Sequence, residues 1–235
     1  MTETRSVAIV SGAAGNVGGA LVRLLAGQGV RVVALDRAVA PVQAVLDTLP
    51  PGGHLALAGV DLMDAAACQG AVARVLAEMG RLDMVGHTVG GFAYAPIAEA
   101  PAALFQQMLQ INLFTTLNLY QAALGPMRAA GRGSLVGIGA MAGIQAGAGV
   151  AAYAAAKSAV LRLTESLAAE LKPEGVRVNA VLPGTIDTPQ NRAAMADADT
   201  ARWVTPEQVA QGMAFLLGEA ASGVTGAFLP VTGRG

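Results

Sequence analysis

With 235 residues, 54% of them hydrophobic and 13% charged, the chain can fold around one large core, and disorder is excluded. A net charge of −1 leaves no basic field for nucleic acid and no polybasic membrane signal. The single cysteine, Cys68, excludes an internal disulfide or a thiolate metal cluster, and two distant histidines, His54 and His87, make no metal site.

Residues 1–5 lack the basic-then-apolar layout of a signal peptide. Two uncharged stretches, 100–127 and 133–156, carry either several Gln and Asn or many Gly. They are expected to be buried in a soluble protein, not a membrane, in a reducing, cytoplasmic setting.

The first predicted strand, Ser6–Val10, runs into Ser11-Gly12-Ala13-Ala14-Gly15-Asn16-Val17-Gly18 and a helix over Val17–Gln28. Glycines 12, 15 and 18 allow a tight turn that presents backbone N–H groups, with Asn16 and Val17 among its binding positions. The turn and the positive end of the helix suit a pyrophosphate. The second strand, Val30–Leu35, ends in Asp36, about 20 residues further on, where a carboxylate suits the adenosine ribose hydroxyls and repels a 2′-phosphate. The expected cofactor is therefore NAD(H) in preference to NADP(H), although Arg37 next door is able to pair with a phosphate. A helix over Pro41–Leu49 and a third strand, His54–Val60, lead to Asp61 and Leu62. Asp61 is in reach of the adenine edge, or else caps the following helix, Ala65–Met79.

A fourth strand, Leu82–Thr88, is followed by Gly90 and by one long helix over Pro101–Ala130 that contains Asn112. The fifth strand is Gly133–Gly139, and the next helix, Val150–Leu171, carries Tyr153 and Lys157. A sixth strand, Arg177–Leu182, gives way to Pro183, Gly184, Ile186 and Thr188. The polar stretch 188–204 is long for a connection and reads as a substrate-covering lid. A helix over Pro206–Leu217 and a strand over Ala227–Val231 complete the chain. Strands and helices alternating in this way predict an α/β protein: a single-domain Rossmann fold over 1–235, doubly wound, with a seven-stranded parallel sheet and helices on both faces.

Tyr153 and Lys157 stand four apart, so a helix places them on one face. A phenol is a poor proton carrier at neutral pH, and an adjacent ammonium favours the phenolate and lowers its pKa.

Together with the glycine turn, this pair resembles the short-chain dehydrogenase/reductase family, and the resemblance runs along nearly the whole chain. Ser11-Gly12 through Gly18 match the family's first motif, with Asn16 in place of its middle glycine and Gly15 beside it. Tyr153 and Lys157 match its Y-x-x-x-K, Asn112 its helix asparagine, and Arg177-Val178-Asn179-Ala180-Val181-Leu182-Pro183-Gly184 its late strand-and-turn motif. The resemblance implies that Tyr153 exchanges a proton with a small-molecule substrate and that Lys157 holds the nicotinamide ribose. It also implies that Asn112 anchors a water leading from Lys157 to solvent, and that Ile186 and Thr188 contact the nicotinamide side. A buried Asn112 that satisfies backbone is the alternative. Assembly as a homotetramer or homodimer through the long helices is implied as well.

The pattern breaks in two places. The family's N-N-A-G reads His87-Thr88-Val89-Gly90, which leaves a strand-bracing role to His87. The family's catalytic serine, thirteen residues before the tyrosine, is Ala140. A dihydropteridine reductase branch shares that alanine, and it resembles this chain over Asp187–Asp199, Trp203 and Val89-Gly90-Gly91-Phe92. The expected activity is therefore hydride transfer to a conjugated or quinonoid, pterin-like acceptor. An ordinary alcohol/ketone reaction is the alternative, with Thr88 or a water as substitute donor, and an NAD(H)-binding sensor with little turnover is the third reading.

Overall fold

Every side chain of the first strand is buried, and its alternate residues serve two different cores. The computed structural model describes residues 5–234. In β1 (Val7–Ser11), Val7 and Ile9 face one core while Ala8 and Val10 face the other. Such two-sided burial is why the strands read as near-continuous apolar runs instead of alternating ones.

The remaining strands are β2 (Arg31–Asp36), β3 (Leu55–Ala58), β4 (Met84–His87), β5 (Gly133–Ile138), β6 (Val176–Pro183) and β7 (Phe228–Val231). All pairings are parallel, in the order β3-β2-β1-β4-β5-β6-β7. The predicted doubly wound, seven-stranded Rossmann fold is therefore what forms. Helices α1 (Asn16–Gly27) and α8 (Pro206–Leu217) cover one face, through Leu21, Leu25, Met213 and Leu217. The other face receives α3 (Ala65–Met79), α5 (Thr115–Ala130) and α6 (Ala151–Leu171), through Val72, Val75, Leu119, Tyr120, Leu167 and Leu171. The order of strand succession reverses between β1 and β4, so a crevice opens at their carboxyl ends.

Three predicted elements differ in detail. The second helix, α2, spans Val39–Leu46, earlier than the predicted 41–49. The third strand is shorter at both ends, and His54 lies just outside it, its Nδ1 accepting the Val32 N–H and its Nε2 donating to the Pro50 carbonyl. The single long helix over 101–130 is two helices, α4 (Ala102–Leu109) and α5, joined by a π-turn at Gln110–Phe114. Side chains that bond back to the helix accompany that widened turn: Asn112 Nδ2 donates to Met108 O, and the Thr115 and Thr116 hydroxyls donate to Ile111 O and Asn112 O. Apolar periodicity does not register one extra residue, so the pattern ran straight through it.

The stretch 188–204 contains a short helix, α7 (Pro189–Ala194), with the Thr188 hydroxyl accepting the Asn191 N–H at its start. Ile186 pairs with Val204 across its base, closing the segment into a flap. Among the described residues no helix is long and apolar enough to cross a membrane.

Candidate active site

The turn after β1 is shaped first by contacts within itself. Gly12 has φ +70°, and a Cβ there would lie 2.6 Å from Thr88 Oγ1. A Cβ on Gly18 would overlap the Gly12 carbonyl oxygen, so helix and turn meet only because both residues are glycine. Gly15 precedes α1 with no side chain to cap it, which leaves the first N–H groups of the helix facing the crevice. Asn16, the departure from the motif, donates from Nδ2 to Gln190 Oε1 and so ties the turn to α7.

The Asp36 carboxylate accepts the Ala14 and Ala38 N–H groups, each at 3.1 Å, and is held at the rim of the same turn. Arg37, Asp61 and Leu62 line a small neighbouring cleft of about 160 Å³ that shares Asp36 and Val89 with the main one. Asp61 does not cap α3. It accepts the Met63 N–H, and Asp64 performs the capping through the Ala66 and Ala67 N–H groups.

Behind the turn, His87 is buried and bridges three elements: its ring bonds Ser11 Oγ at 2.8 Å and lies 3.4 Å from Thr115 Oγ1. Burial, with Lys157 nearby, pushes the imidazole down to about 3, so it stays neutral and serves as a brace. The Thr88 hydroxyl donates to Ser11 O at 2.7 Å. It is committed to the strand and is not a substitute for the missing serine.

At the other end of the crevice, Lys157 Nζ donates to Ile138 O at 2.8 Å and lies 5.9 Å from the centre of the Tyr153 ring. Phe92 meets that ring edge-on, 5.0 Å between centroids. The ammonium does not hold the phenol down as proximity alone predicts. Burial dominates, raising Tyr153 to about 12 and lowering Lys157 to about 8. Tyr153 is thus a neutral acid in the protein by itself, suited to donating a proton.

Asn112 is buried behind this pair. Its Nδ2 donates to Gly91 O and Met108 O, and its Oδ1 accepts the Gly91 N–H. The amide is committed to backbone, the alternative that the sequence left open. A Cβ on Gly90 would lie 2.8 Å from Asn112 Oδ1 and 3.4 Å from Lys157 Nζ, so the glycine keeps the floor of the crevice clear.

These parts enclose one cleft of about 440 Å³, lined by Gly12, Gly15, Asn16, Val17, Gly18, Asp36, Gly90, Tyr153, Lys157, Ile186 and Thr188 from the expected set. Its open backbone donors lie near one end and its titratable pair at the other, which fits an extended dinucleotide with its reactive ring beside Tyr153. The model for short chain dehydrogenases matches residues 6–199. The chain belongs to the short-chain dehydrogenase/reductase family. A cis-4-hydroxycyclohexanecarboxylate dehydrogenase of Sinomonas cyclohexanicum is 38% identical, over 97% of this chain and 95% of the relative. Among solved structures, 7α-hydroxysteroid dehydrogenase in complex with NADH and 7-oxoglycochenodeoxycholic acid is similar with a TM-score of 0.87 and 27% identity, covering 98% of this chain and 94% of that one. An NAD⁺-bound xylitol dehydrogenase gives 0.89 at 26% identity, covering 99% and 100%.

Within this short-chain dehydrogenase, Pro183 lies at the buried end of β6 and borders none of the clefts described. Gly184 borders a further cleft, packed against the backbone of Thr232. Val89, Gly91, Phe92 and Ile138 also line the main cleft although no role there was expected of them, and Thr88, expected only as a substitute donor, lines it too. Their signal was positional: each follows, or ends, a strand that stops at the crevice.

Burial of Lys157, only 4% exposed, has a measurable consequence for the protein without cofactor. Below pH 8 folded and unfolded chains both hold the proton, and the folded state carries the full desolvation cost. Between about 8 and 10.4 the unfolded chain keeps the proton while the folded chain releases it, so stability rises with pH. Lys157→Met is therefore expected to be stabilised relative to wild type at pH 7, with the difference shrinking by up to about 3 kcal/mol towards pH 10. Denaturant midpoints across that range check this, and a difference that ignores pH would contradict it.

Proposed function

We propose that this chain is an NAD(H)-dependent oxidoreductase that interconverts a secondary alcohol and a ketone on an apolar, ring-bearing small molecule. The observation that carries the reading is the single cleft with Asp36 at one end and Tyr153 beside Lys157 at the other. Relatives whose names specify a hydroxycyclohexane acid and a hydroxysteroid, the latter with NADH, support the substrate type and the cofactor.

A bound nicotinamide would give or take the hydride at the carbinol carbon. Tyr153 Oη donates its proton to the carbonyl oxygen in reduction and takes it back in oxidation. Lys157 holds the nicotinamide ribose and supplies positive charge as the phenol ionises. Gly12 through Gly18 would hold the pyrophosphate, Asp36 the adenosine ribose, and Asp61 and Leu62 the surroundings of the adenine. Ile186 and Thr188 bound the nicotinamide end. Asn112 acts as a positioning residue, fixing Gly90 and Gly91 against the π-turn. The flap at 188–204 covers the substrate, and Asn16–Gln190 ties it to the phosphate turn. Phe92 and Met141, 65% and 40% exposed, give the cleft mouths an apolar character suited to a ring.

A second reading, hydride transfer to a conjugated or quinonoid acceptor, is favoured by Ala140, which offers no hydroxyl to a localised alkoxide. A cofactor sensor is disfavoured by Tyr153 and Lys157 facing the cleft together.

The cofactor end is tested by binding. Asp36 is expected to make NADH bind more tightly than NADPH by about ten- to a thousandfold, from repulsion of a phosphate dianion at close range. Asp36→Ser is expected to relax or invert that preference, with Arg37 free to meet the phosphate. Equal wild-type dissociation constants would overturn the assignment.

A further inference from the structure

Beyond Ala140 lies a compartment that the hydride-transfer chemistry does not use. Ile138 borders the main cleft, and Met141, just past Ala140, borders a second cleft of about 470 Å³ at the carboxyl ends of β6 and β7. Gly184, Thr185, Thr232, Trp203, Asp199 and Arg202 complete its lining. Two ionisable residues, Asp199 and Arg202, thus border a cleft whose other lining residues are uncharged.

Arg202 is held in place there. Its Nε and Nη2 donate to Arg234 O at 3.3 and 3.2 Å, and the Arg234 N–H donates back to Arg202 O at 3.1 Å. Val204, two residues on, is fixed by its N–H to Thr185 O and by its carbonyl to the Asp187 N–H. The other cation of the flap, Arg192, is engaged by both oxygens of Asp187. Asp199 accepts the Ala201 N–H. Among the described residues Arg202 has no carboxylate within ion-pair distance and no acceptor on Nη1. A guanidinium anchored through one edge and open on the other suits a planar carboxylate.

We propose that Arg202 receives a carboxylate of the substrate, so that the preferred substrates are cyclic hydroxy- or oxo-monoacids. The reacting carbon lies at Tyr153, the ring lies along Met141 and Trp203, and the acid group reaches Arg202. Asp199, which borders the same cleft, disfavours a second negative charge, which makes the class monoacids instead of diacids. The proposal rests on the alcohol/ketone reading above, and its test separates the two.

The probes are 2-, 3- and 4-oxocyclohexanecarboxylate, their methyl esters, and cyclohexanone. NADH-linked kcat/KM is measured for each, and binding of the acids to the NADH complex is followed by calorimetry. For at least one ring position the acid is expected to exceed its ester by about ten- to a hundredfold, through KM. Arg202→Gln is expected to collapse that ratio and Arg202→Lys to keep part of it. Thermal midpoints of both variants report whether the clasp with Arg234 survives. Ketone turnover with no preference for acids, or a preference untouched by Arg202→Gln, overturns the Arg202 assignment and leaves the alcohol/ketone reading standing. Arg202-dependent binding of acids without turnover supports Arg202 and refutes that reading. Neither binding nor turnover overturns both.

Discussion

Tyr153→Phe is expected to lower kcat by about a hundredfold to ten-thousandfold, while NADH affinity stays within a few fold of wild type. The substitution removes one oxygen and keeps the ring that packs edge-on against Phe92, so the cleft retains its shape. What is lost is a neutral phenol held protonated by burial, in a cleft where the alternatives are already engaged. Lys157 Nζ is bonded to Ile138 O, the Thr88 hydroxyl to Ser11 O, and the Asn112 amide to Gly91 and Met108. Lys157→Ala is expected to impair turnover and cofactor binding together, since the same ammonium is proposed to hold the ribose. Stopped-flow hydride transfer and NADH titration measure the two effects separately. A Tyr153→Phe protein that keeps most of its activity would require a different acid and would refute the site assignment.

Ala140→Ser is expected to raise activity on an unactivated ring ketone by up to about a hundredfold, the reverse of deleting one oxyanion donor. Ala140 is 6% exposed with extended backbone at φ −163° and ψ 153°, which any residue adopts, so the substitution brings no backbone strain. In the chain Ala140 stands between Ile138, which lines the main cleft, and Met141, which lines the Arg202 cleft, and its methyl group offers no hydrogen bond to a developing alkoxide. For a conjugated acceptor the charge spreads over the ring, and one local hydroxyl adds little. Steady-state rates on cyclohexanone and on a small quinone, for both proteins, decide between the two readings. A serine that leaves ketone turnover unchanged while wild type already turns it over quickly would show that a bound water supplies the donor. If wild type instead reduces the quinone much faster and the serine closes the gap only from the ketone side, the conjugated reading is sustained.

Local rules of the chain determined a large part of this protein. The seven strands, the glycine turn, the acidic end of β2 and the Tyr153/Lys157 face were legible because each follows from short-range sterics or from helical spacing. The brace at His87 was legible too, as a polar residue standing where a strand needed one.

What the sequence left open depends on groups brought together from far apart. Asp61 and Asp64 are equivalent as text; only the path of the chain into α3 makes the second the cap. The π-turn at Asn112 was hidden because an apolar period tolerates one inserted residue, while the amide of Asn112 needed Gly91, 21 residues earlier, as its partner. The charge of Lys157 predicted a lowered phenol, yet desolvation outweighs it, and desolvation is a property of everything packed around the pair. No local pattern distinguishes Arg202; only the fold places it at a cleft with Met141, bonds it to Arg234 O and joins Arg192 to Asp187. Burial and long-range pairing are sums over the whole tertiary structure, so no window of sequence contains them.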